Sequence, residues 1–146
     1  FDGTIDCIAT DHAPHTLDEK KLPYGQAPSG MPGVETSLTL MLNEVSKGRI
    51  KIENVVQWMS ENPATLYRLK NKGFLKVGYD ADITIIDMNK QKVISNESMK
   101  TKCGWTAFDG QETTGWVQTT IVNGNIVYDD EKLNLDFLGK KVDFNY

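Results

Sequence analysis

The chain has 146 residues, of which 39% are hydrophobic and 25% charged, and this composition lies within the range of soluble globular domains. A net charge of -4 and the lack of any lysine and arginine cluster exclude nucleic acid as an expected partner. No apolar run approaches the roughly 20 residues that span a bilayer, so we expect no membrane association and a cytoplasmic location. Cys7 and Cys103 lie far apart in the sequence and are predicted to be free thiols.

The first predicted element is a buried parallel strand from Ile5 to Thr10, because this run is mostly apolar and ends at Thr10-Asp11. The chain has no initiator methionine and enters this strand almost at once, which indicates a piece of a larger polypeptide. Four prolines and three glycines between His12 and Gly33 then predict a long loop without helix or strand. Long loops in compact domains are usually functional or disordered.

Three helices are predicted after the loop. The first helix has apolar residues at helical spacing and ends before Gly48, where a C-terminal glycine is expected. The second helix is predicted from about Ile52 to Ser60. The third is predicted to start with Asn62 as its N-cap and Pro63 in its first turn, and to run towards Gly73. The apolar residues that define the first helix are Val34, Leu38, Met41, Leu42 and Val45.

Beyond Gly73 the apolar pattern changes from helical spacing to the spacing of strands. Strands are predicted at Ile83 to Ile86 and at Thr119 to Val122. Asn123-Gly124 predicts a hairpin, because both residues tolerate the positive φ angles of a type I′ turn. The second half is therefore expected to be a small module rich in β-structure.

The segment from Asp11 to His15 brings a carboxylate and two imidazoles together within five residues. In a barrel of parallel strands and helices, functional groups lie at the C-terminal ends of the strands, and Asp11 follows the first predicted strand. This segment alone is weak support for a site, because an aspartate at a strand end often caps a turn and surface histidines are common. Both interpretations stay open on this segment taken by itself.

Four parts of the sequence, in their order and spacing, resemble the dihydroorotases, a family of metal-dependent cyclic amidohydrolases. They are Asp11 to His15 followed by Ala27 to Thr36; Asn62-Pro63-Ala64; Gly73 to Gly78 with Asp80 to Asp87; and Trp105 to Gly110 with Val122 to Gly124 and Val127-Tyr128. The resemblance covers essentially the whole chain. It implies an α/β fold in which residues 1–71 form the C-terminal end of a TIM (β/α)8 barrel, and residues 72–146 part of a small β-sandwich domain.

The resemblance also implies a reaction, the reversible zinc-dependent hydrolysis of (S)-dihydroorotate to N-carbamoyl-L-aspartate in pyrimidine biosynthesis. Asp11 matches a carboxylate that binds one metal ion and acts as general base, and His15 matches a histidine that binds the substrate carboxylate. Ser29 and Gly30 match positions whose main chain contacts the substrate ring. For His12 we favour an orienting hydrogen bond over direct metal binding.

The remaining zinc ligands of the family have no counterpart here, because the chain has only two histidines and no H-x-H pair. We therefore expect the isolated chain to be inactive. The resemblance also implies that the full-length protein is a homodimer. Two alternatives stay open: another cyclic amidohydrolase (dihydropyrimidinase, hydantoinase or allantoinase), or a non-catalytic scaffold subunit. Other prominent residues are expected to be structural, namely Trp58, Trp105 and Trp116 by packing, and Asp80 and Asp82 by forming a turn.

Overall fold

The computed structural model describes residues 3–145, and its combination of helices and one antiparallel sheet confirms the α/β class. The helices are α1 (Leu17–Lys20), α2 (Ser37–Ser46), α3 (Ile52–Val56) and α4 (Asn62–Leu66), with a π-helical segment at Gln57–Glu61 and a 3-10 turn at Asn96–Ser98. The strands are β1 (Ile83–Val93), β2 (Glu112–Val122), β3 (Asn125–Asp129) and β4 (Lys132–Leu133). No helix within residues 3–145 has the length and apolar character needed to cross a bilayer. Both cysteines are free thiols, as predicted.

The predicted strand from Ile5 to Thr10 is wrong for the described part of the chain. A strand needs a neighbour that accepts and donates backbone hydrogen bonds, and residues 3–145 place no strand beside this segment. Its backbone contact is instead with a helix, where the Ile8 N–H donates to the carbonyl oxygen of Trp58 at 3.1 Å. The side chain of Ile5 remains 67% exposed, so this segment is not a buried element in the described structure.

The second and third predicted helices form one continuous helical run, so Asn62 is not an N-cap as the sequence had indicated. Pro63 explains the irregular part, because proline lacks an N–H and crowds the preceding helical turn. The helix widens to π-helical hydrogen bonding just before this proline, and the Asn62 N–H donates to the carbonyl oxygen of Gln57. The run ends at Leu66 and does not reach Gly73.

The second half forms a four-stranded antiparallel sheet in the order β1-β2-β3-β4. The predicted hairpin is confirmed, since Val122 pairs with Asn125 around a two-residue turn. Asn123 and Gly124 have φ angles of 47° and 79°, which are the positive values that a type I′ turn requires. Within residues 3–145, the part of the chain that was predicted to belong to a β-sandwich domain forms this one sheet.

Helix α2 packs on strand β2 and connects the two halves of the chain. It was predicted correctly from Leu38 to Val45, whereas Val34 lies before its first residue and is 61% exposed. Leu42 on its inner face has no solvent exposure. Gly115 of β2 lies so close that a Cβ atom there would be 2.6 Å from the Leu42 Cβ. The next α2 residue, Asn43, accepts a hydrogen bond from the Thr114 N–H at 3.1 Å. The helix thus contacts the strand through apolar packing and through a hydrogen bond from the strand backbone to the Asn43 side chain.

Asp82 connects the start of β1 to the β2–β3 turn. Its carboxylate accepts the Asn123 N–H at 2.7 Å and pairs with the Lys72 ammonium at 2.5 Å, and Asp80 pairs with the same ammonium at 2.9 Å. Burial raises the pKa of Asp82, but the Asn123 N–H and Lys72 together outweigh it and leave the pKa below its usual value. These contacts agree with the structural role expected for Asp80 and Asp82.

We expect Asp82→Ala to lower the free energy of unfolding by about 1–2 kcal/mol near neutral pH, because it removes a charge-assisted bond and an ion pair. A carboxyl whose folded pKa is depressed stabilises the fold above its unfolded pKa of about 3.9, and this contribution is lost as pH falls through the folded pKa. Urea denaturation of the full-length protein from neutral to acidic pH measures the difference. Asp80→Ala, which loses only the pairing with Lys72, should cost less, and an equal cost would contradict the assignment.

Candidate active site

Asp11 lies at the point where the N-terminal segment enters the long loop. Its side chain is exposed and its φ angle is 43°, a left-handed conformation that aspartate and asparagine adopt more readily than other residues with side chains. The exposed carboxylate is available to a ligand or metal ion from solvent. The conformation gives a physical reason for a short polar residue at this position, besides any chemical role.

His12 holds the two ends of the loop together. Its Nδ1 accepts hydrogen bonds from the backbone N–H groups of Gly33 at 3.1 Å and Val34 at 3.3 Å. A ring nitrogen that accepts is unprotonated, so the neutral ring carries its proton on Nε2. The geometry agrees with the orienting role favoured for His12. Since Nδ1 is occupied by these two donors, it is not available to a metal ion.

The loop returns alongside the residues that follow Asp11. His12 and Met31 form a parallel β-bridge, and the Ala13 N–H donates to the Met31 carbonyl oxygen at 3.1 Å. Gly30 has a φ of 96°, and a Cβ atom there would lie 2.6 Å from the Ala13 Cβ. Glycine is therefore required at position 30 for the loop to approach this closely.

Ser29 and Gly30 bring two backbone donors to this region. Within residues 3–145, neither N–H has a hydrogen-bond acceptor, and the Ser29 side chain is exposed. The structure therefore brings the Gly30 backbone against the segment that carries Asp11, with two amide groups available to a ligand. Such groups can bind the carbonyl oxygens of a small polar molecule.

His15 lies just before α1, and its side chain is 34% exposed. Helix α1 is a single turn stabilised by a capping box, in which the Thr16 hydroxyl accepts the Glu19 N–H while the Glu19 carboxylate accepts the Thr16 N–H. The Thr16 N–H and hydroxyl, followed by the nearby imidazole of His15, lower the pKa of Glu19. The Glu19 carboxylate lies 3.7 Å from the His15 Nδ1.

Two residues connect the second half of the chain to the loop. The Trp105 indole donates its Nε1–H to the carbonyl oxygen of His15 at 2.6 Å, which gives this tryptophan a polar contact in addition to the expected packing role. Glu35 accepts the backbone N–H groups of Lys100 and Thr101 at 2.8 and 3.1 Å. Residues from both halves thus determine the position of His15 and of the end of the loop.

Residues 3–145 contain no group of three or more histidine, cysteine, aspartate or glutamate side chains able to hold a metal ion. Asp11 supplies a single exposed carboxylate, and one carboxylate is too few for a zinc site, which takes at least three protein ligands. Two clefts, of about 900 and 1040 Å³, are lined by neither Asp11 nor His15. The described residues therefore do not form a complete metal centre.

The sequence interpretation missed Lys20, Glu35 and Trp105 as residues that support the loop. The Lys20 ammonium donates to two carbonyl oxygens of the loop, those of Pro28 and Gly30. The pattern Thr16-x-x-Glu19 is a capping-box signal and could have predicted α1, the helix that carries Lys20. No local pattern pairs Trp105 with a residue 90 positions away, because that contact depends on the tertiary fold.

Comparison with known proteins finds dihydroorotases as relatives over most of the chain. The dihydroorotase of Pyrococcus abyssi is 43% identical over 129 residues, which cover 88% of this chain and 31% of the relative. The dihydroorotase of Clostridium acetobutylicum is 44% identical over 131 residues, covering 89% of this chain and 31% of the relative. The chain spans about a third of the length of these relatives. The predicted resemblance to dihydroorotases is confirmed.

Solved structures of hydantoinases have the same fold over most of the chain. L-hydantoinase (dihydropyrimidinase) from Arthrobacter aurescens superimposes with a TM-score of 0.86 at 33% identity, over 91% of this chain and 31% of that structure. D-hydantoinase from a Thermus species gives 0.85 at 29% identity, over 95% of this chain and 31% of that structure. The amidohydrolase family and the dihydroorotase relatives are generally metal-dependent enzymes that act on small molecules. A family model described as the amidohydrolase family matches residues 2–127, and the chain belongs to that family.

Proposed function

We propose that the full-length protein is a zinc-dependent dihydroorotase that interconverts (S)-dihydroorotate and N-carbamoyl-L-aspartate in pyrimidine biosynthesis. The observation that carries this proposal is the packing of Gly30 against Ala13, which keeps the Asp11 segment beside the two available amides. All of these residues lie within the matched family region. Dihydroorotases of 43 to 44% identity favour this substrate over the hydantoinases, which match at 33% or less.

Asp11 is assigned the proton-transfer role in this proposal. An ionised carboxylate only accepts hydrogen bonds, whereas the protonated form also donates one, so the same group can take a proton from the attacking water and return it to the leaving nitrogen. Asp11 would also contribute one carboxylate to the zinc centre. The other ligands of that centre would come from residues outside the described 3–145, because these residues hold no ligand cluster.

The proposal also covers the domain architecture of the full-length protein. Residues 1–71 are assigned to the C-terminal end of a TIM barrel and residues 72–146 to part of a β-sandwich domain, with the likeness to hydantoinase structures in support. The proposal also includes that the full-length protein is a homodimer located in the cytoplasm. Light scattering on the full-length protein tests the dimer, and a mass of one subunit would exclude it.

His15 is proposed to bind the carboxylate of the substrate. We expect His15→Ala in the full-length protein to raise the KM for dihydroorotate by about 10- to 100-fold, the value of one lost charge-assisted hydrogen bond, and to leave kcat less affected. Trp105 contacts the main chain of His15, so the alanine variant keeps that contact. Steady-state kinetics with dihydroorotate and with dihydrouracil, which lacks the carboxylate, separate the effect. A similar loss for both substrates would contradict the role.

The second candidate is a hydantoinase or dihydropyrimidinase, which the high TM-scores favour. Turnover of hydantoin or dihydrouracil above that of dihydroorotate by the zinc-loaded full-length protein would select this alternative. A preference for dihydroorotate selects the main proposal. Absence of turnover with all three substrates would favour a scaffold subunit.

A further inference from the structure

Lys20 lies at the end of α1 and contacts the loop that contains Ser29. Its ammonium donates to the carbonyl oxygen of Pro28 at 2.7 Å and to that of Gly30 at 2.9 Å, and its side chain is partly buried. These two carbonyl groups flank Ser29 on either side. The family resemblance assigns no role to this lysine.

The geometry of the peptide bond lets this contact determine the direction of the Ser29 N–H. The described residues contain no cis peptide, and in a trans peptide the C=O and N–H groups point in opposite directions. The Pro28 carbonyl and the Ser29 N–H belong to one peptide unit. An ammonium that holds this carbonyl therefore directs the Ser29 N–H away from Lys20.

The opposite side of the loop is held by the segment that follows Asp11. Gly30 packs against Ala13, and the Met31 carbonyl accepts the Ala13 N–H. The loop between Pro28 and Met31 is thus bound by Lys20 and by Ala13. Neither contact uses the N–H groups of Ser29 and Gly30, which have no acceptor within residues 3–145.

We propose that Lys20 is a positioning residue that holds the Pro28 and Gly30 carbonyl groups, so that the Ser29 N–H is presented to a carbonyl oxygen of a cyclic ureide substrate. The inference rests on the proposed function for the identity of the substrate. Lys20 contacts no reacting atom in this account. It lowers the cost of ordering the loop when substrate binds.

The first test is kinetic and uses the full-length protein. We expect Lys20→Met to raise the KM for dihydroorotate by about 10-fold while kcat changes by less than about twofold, because the lost contact serves binding alone. Lys21→Met is the matched control, since the Lys21 ammonium is exposed and, among the described residues, pairs only with Asp18 at 3.5 Å. Lys20→Arg, which keeps the charge and the donors, should recover part of the loss. Equal KM values for Lys20→Met and Lys21→Met would overturn the proposal.

The second test does not depend on the substrate. Hydrogen exchange of the full-length protein, followed at the Ala13 N–H that bonds to Met31, should be faster in Lys20→Met than in wild type and unchanged in Lys21→Met. Faster exchange in a protein that turns over no dihydroorotate would leave Lys20 as the loop anchor and reject the proposed function. Unchanged exchange in Lys20→Met would reject the anchor, whatever the enzyme's activity.

Discussion

Asp11→Asn in the full-length protein is expected to lower kcat for dihydroorotate by about 10²- to 10⁴-fold, the usual contribution of a general acid-base group. Asparagine has nearly the same shape as aspartate and tolerates the φ of 43°, so the backbone should be unchanged. It cannot accept and return a proton at the reacting atoms. The measurement is the initial rate of dihydroorotate hydrolysis with saturating zinc, together with the metal content of the purified variant.

Asp18→Asn serves as the control for Asp11→Asn, because Asp18 is an exposed carboxylate whose one ion pair within residues 3–145 is with Lys21. Its kcat should equal that of wild type. Asp11→Ala is a less informative variant, because alanine in a left-handed conformation costs roughly 1–2 kcal/mol in backbone strain. Full activity in Asp11→Asn would show that Asp11 has no part in proton transfer.

Gly115→Ala is expected to destabilise the full-length protein by about 2–4 kcal/mol, through steric overlap added to backbone strain. The new Cβ would lie 2.6 Å from the Leu42 Cβ and 3.4 Å from its carbonyl carbon. Leu42 has no exposed surface and sits on α2, so the clash cannot be relieved by a flexible side-chain end. Helix α2 would have to move away from β2. Thermal and urea denaturation report the loss.

Gly78→Ala separates the two causes. Gly78 has a φ of 88°, close to the 99° of Gly115, but a Cβ there would meet no atom within 4 Å. It should therefore show only the backbone strain of about 1–2 kcal/mol. If the two variants lose the same stability, the close packing of α2 against β2 contributes nothing beyond the strain.

The elements that were predicted correctly are those whose signal is local. Helix α2 has apolar residues at helical spacing and a glycine after its last turn, and the turn at Asn123-Gly124 depends on the conformational freedom of two adjacent residues. In both elements, residues close together in the sequence are sufficient to favour the structure. The folded structure keeps these locally determined elements.

The predictions that failed depended on partners or on competition between signals. The run from Ile5 to Thr10 has a strand-like composition, but a strand forms only when hydrogen-bonding neighbours are present. Asn62-Pro63 has the pattern of a helix start, yet the preceding helix continues through it by widening to a π turn. In both cases the local pattern is present in the sequence. The neighbouring parts of the chain, which the pattern does not contain, determined the structure that forms.

The sequence suggested the residues of the candidate site but not the contacts that connect them. Asp11, His15, Ser29 and Gly30 came from motif resemblance, and their functional roles stay predictions. The contacts that hold the loop come from Lys20 and Trp105, and each joins residues whose approach depends on how the chain folds. A local sequence pattern does not predict such contacts.

The most direct measurement is a crystal structure of the full-length protein with zinc and N-carbamoyl-L-aspartate bound. The account predicts an Asp11 carboxylate oxygen at about 2.0–2.2 Å from a zinc ion. It also predicts that the Ser29 or Gly30 N–H donates to the ligand at about 2.7–3.2 Å. A ligand bound away from the loop, with Asp11 facing solvent and contacting no metal ion, would contradict it.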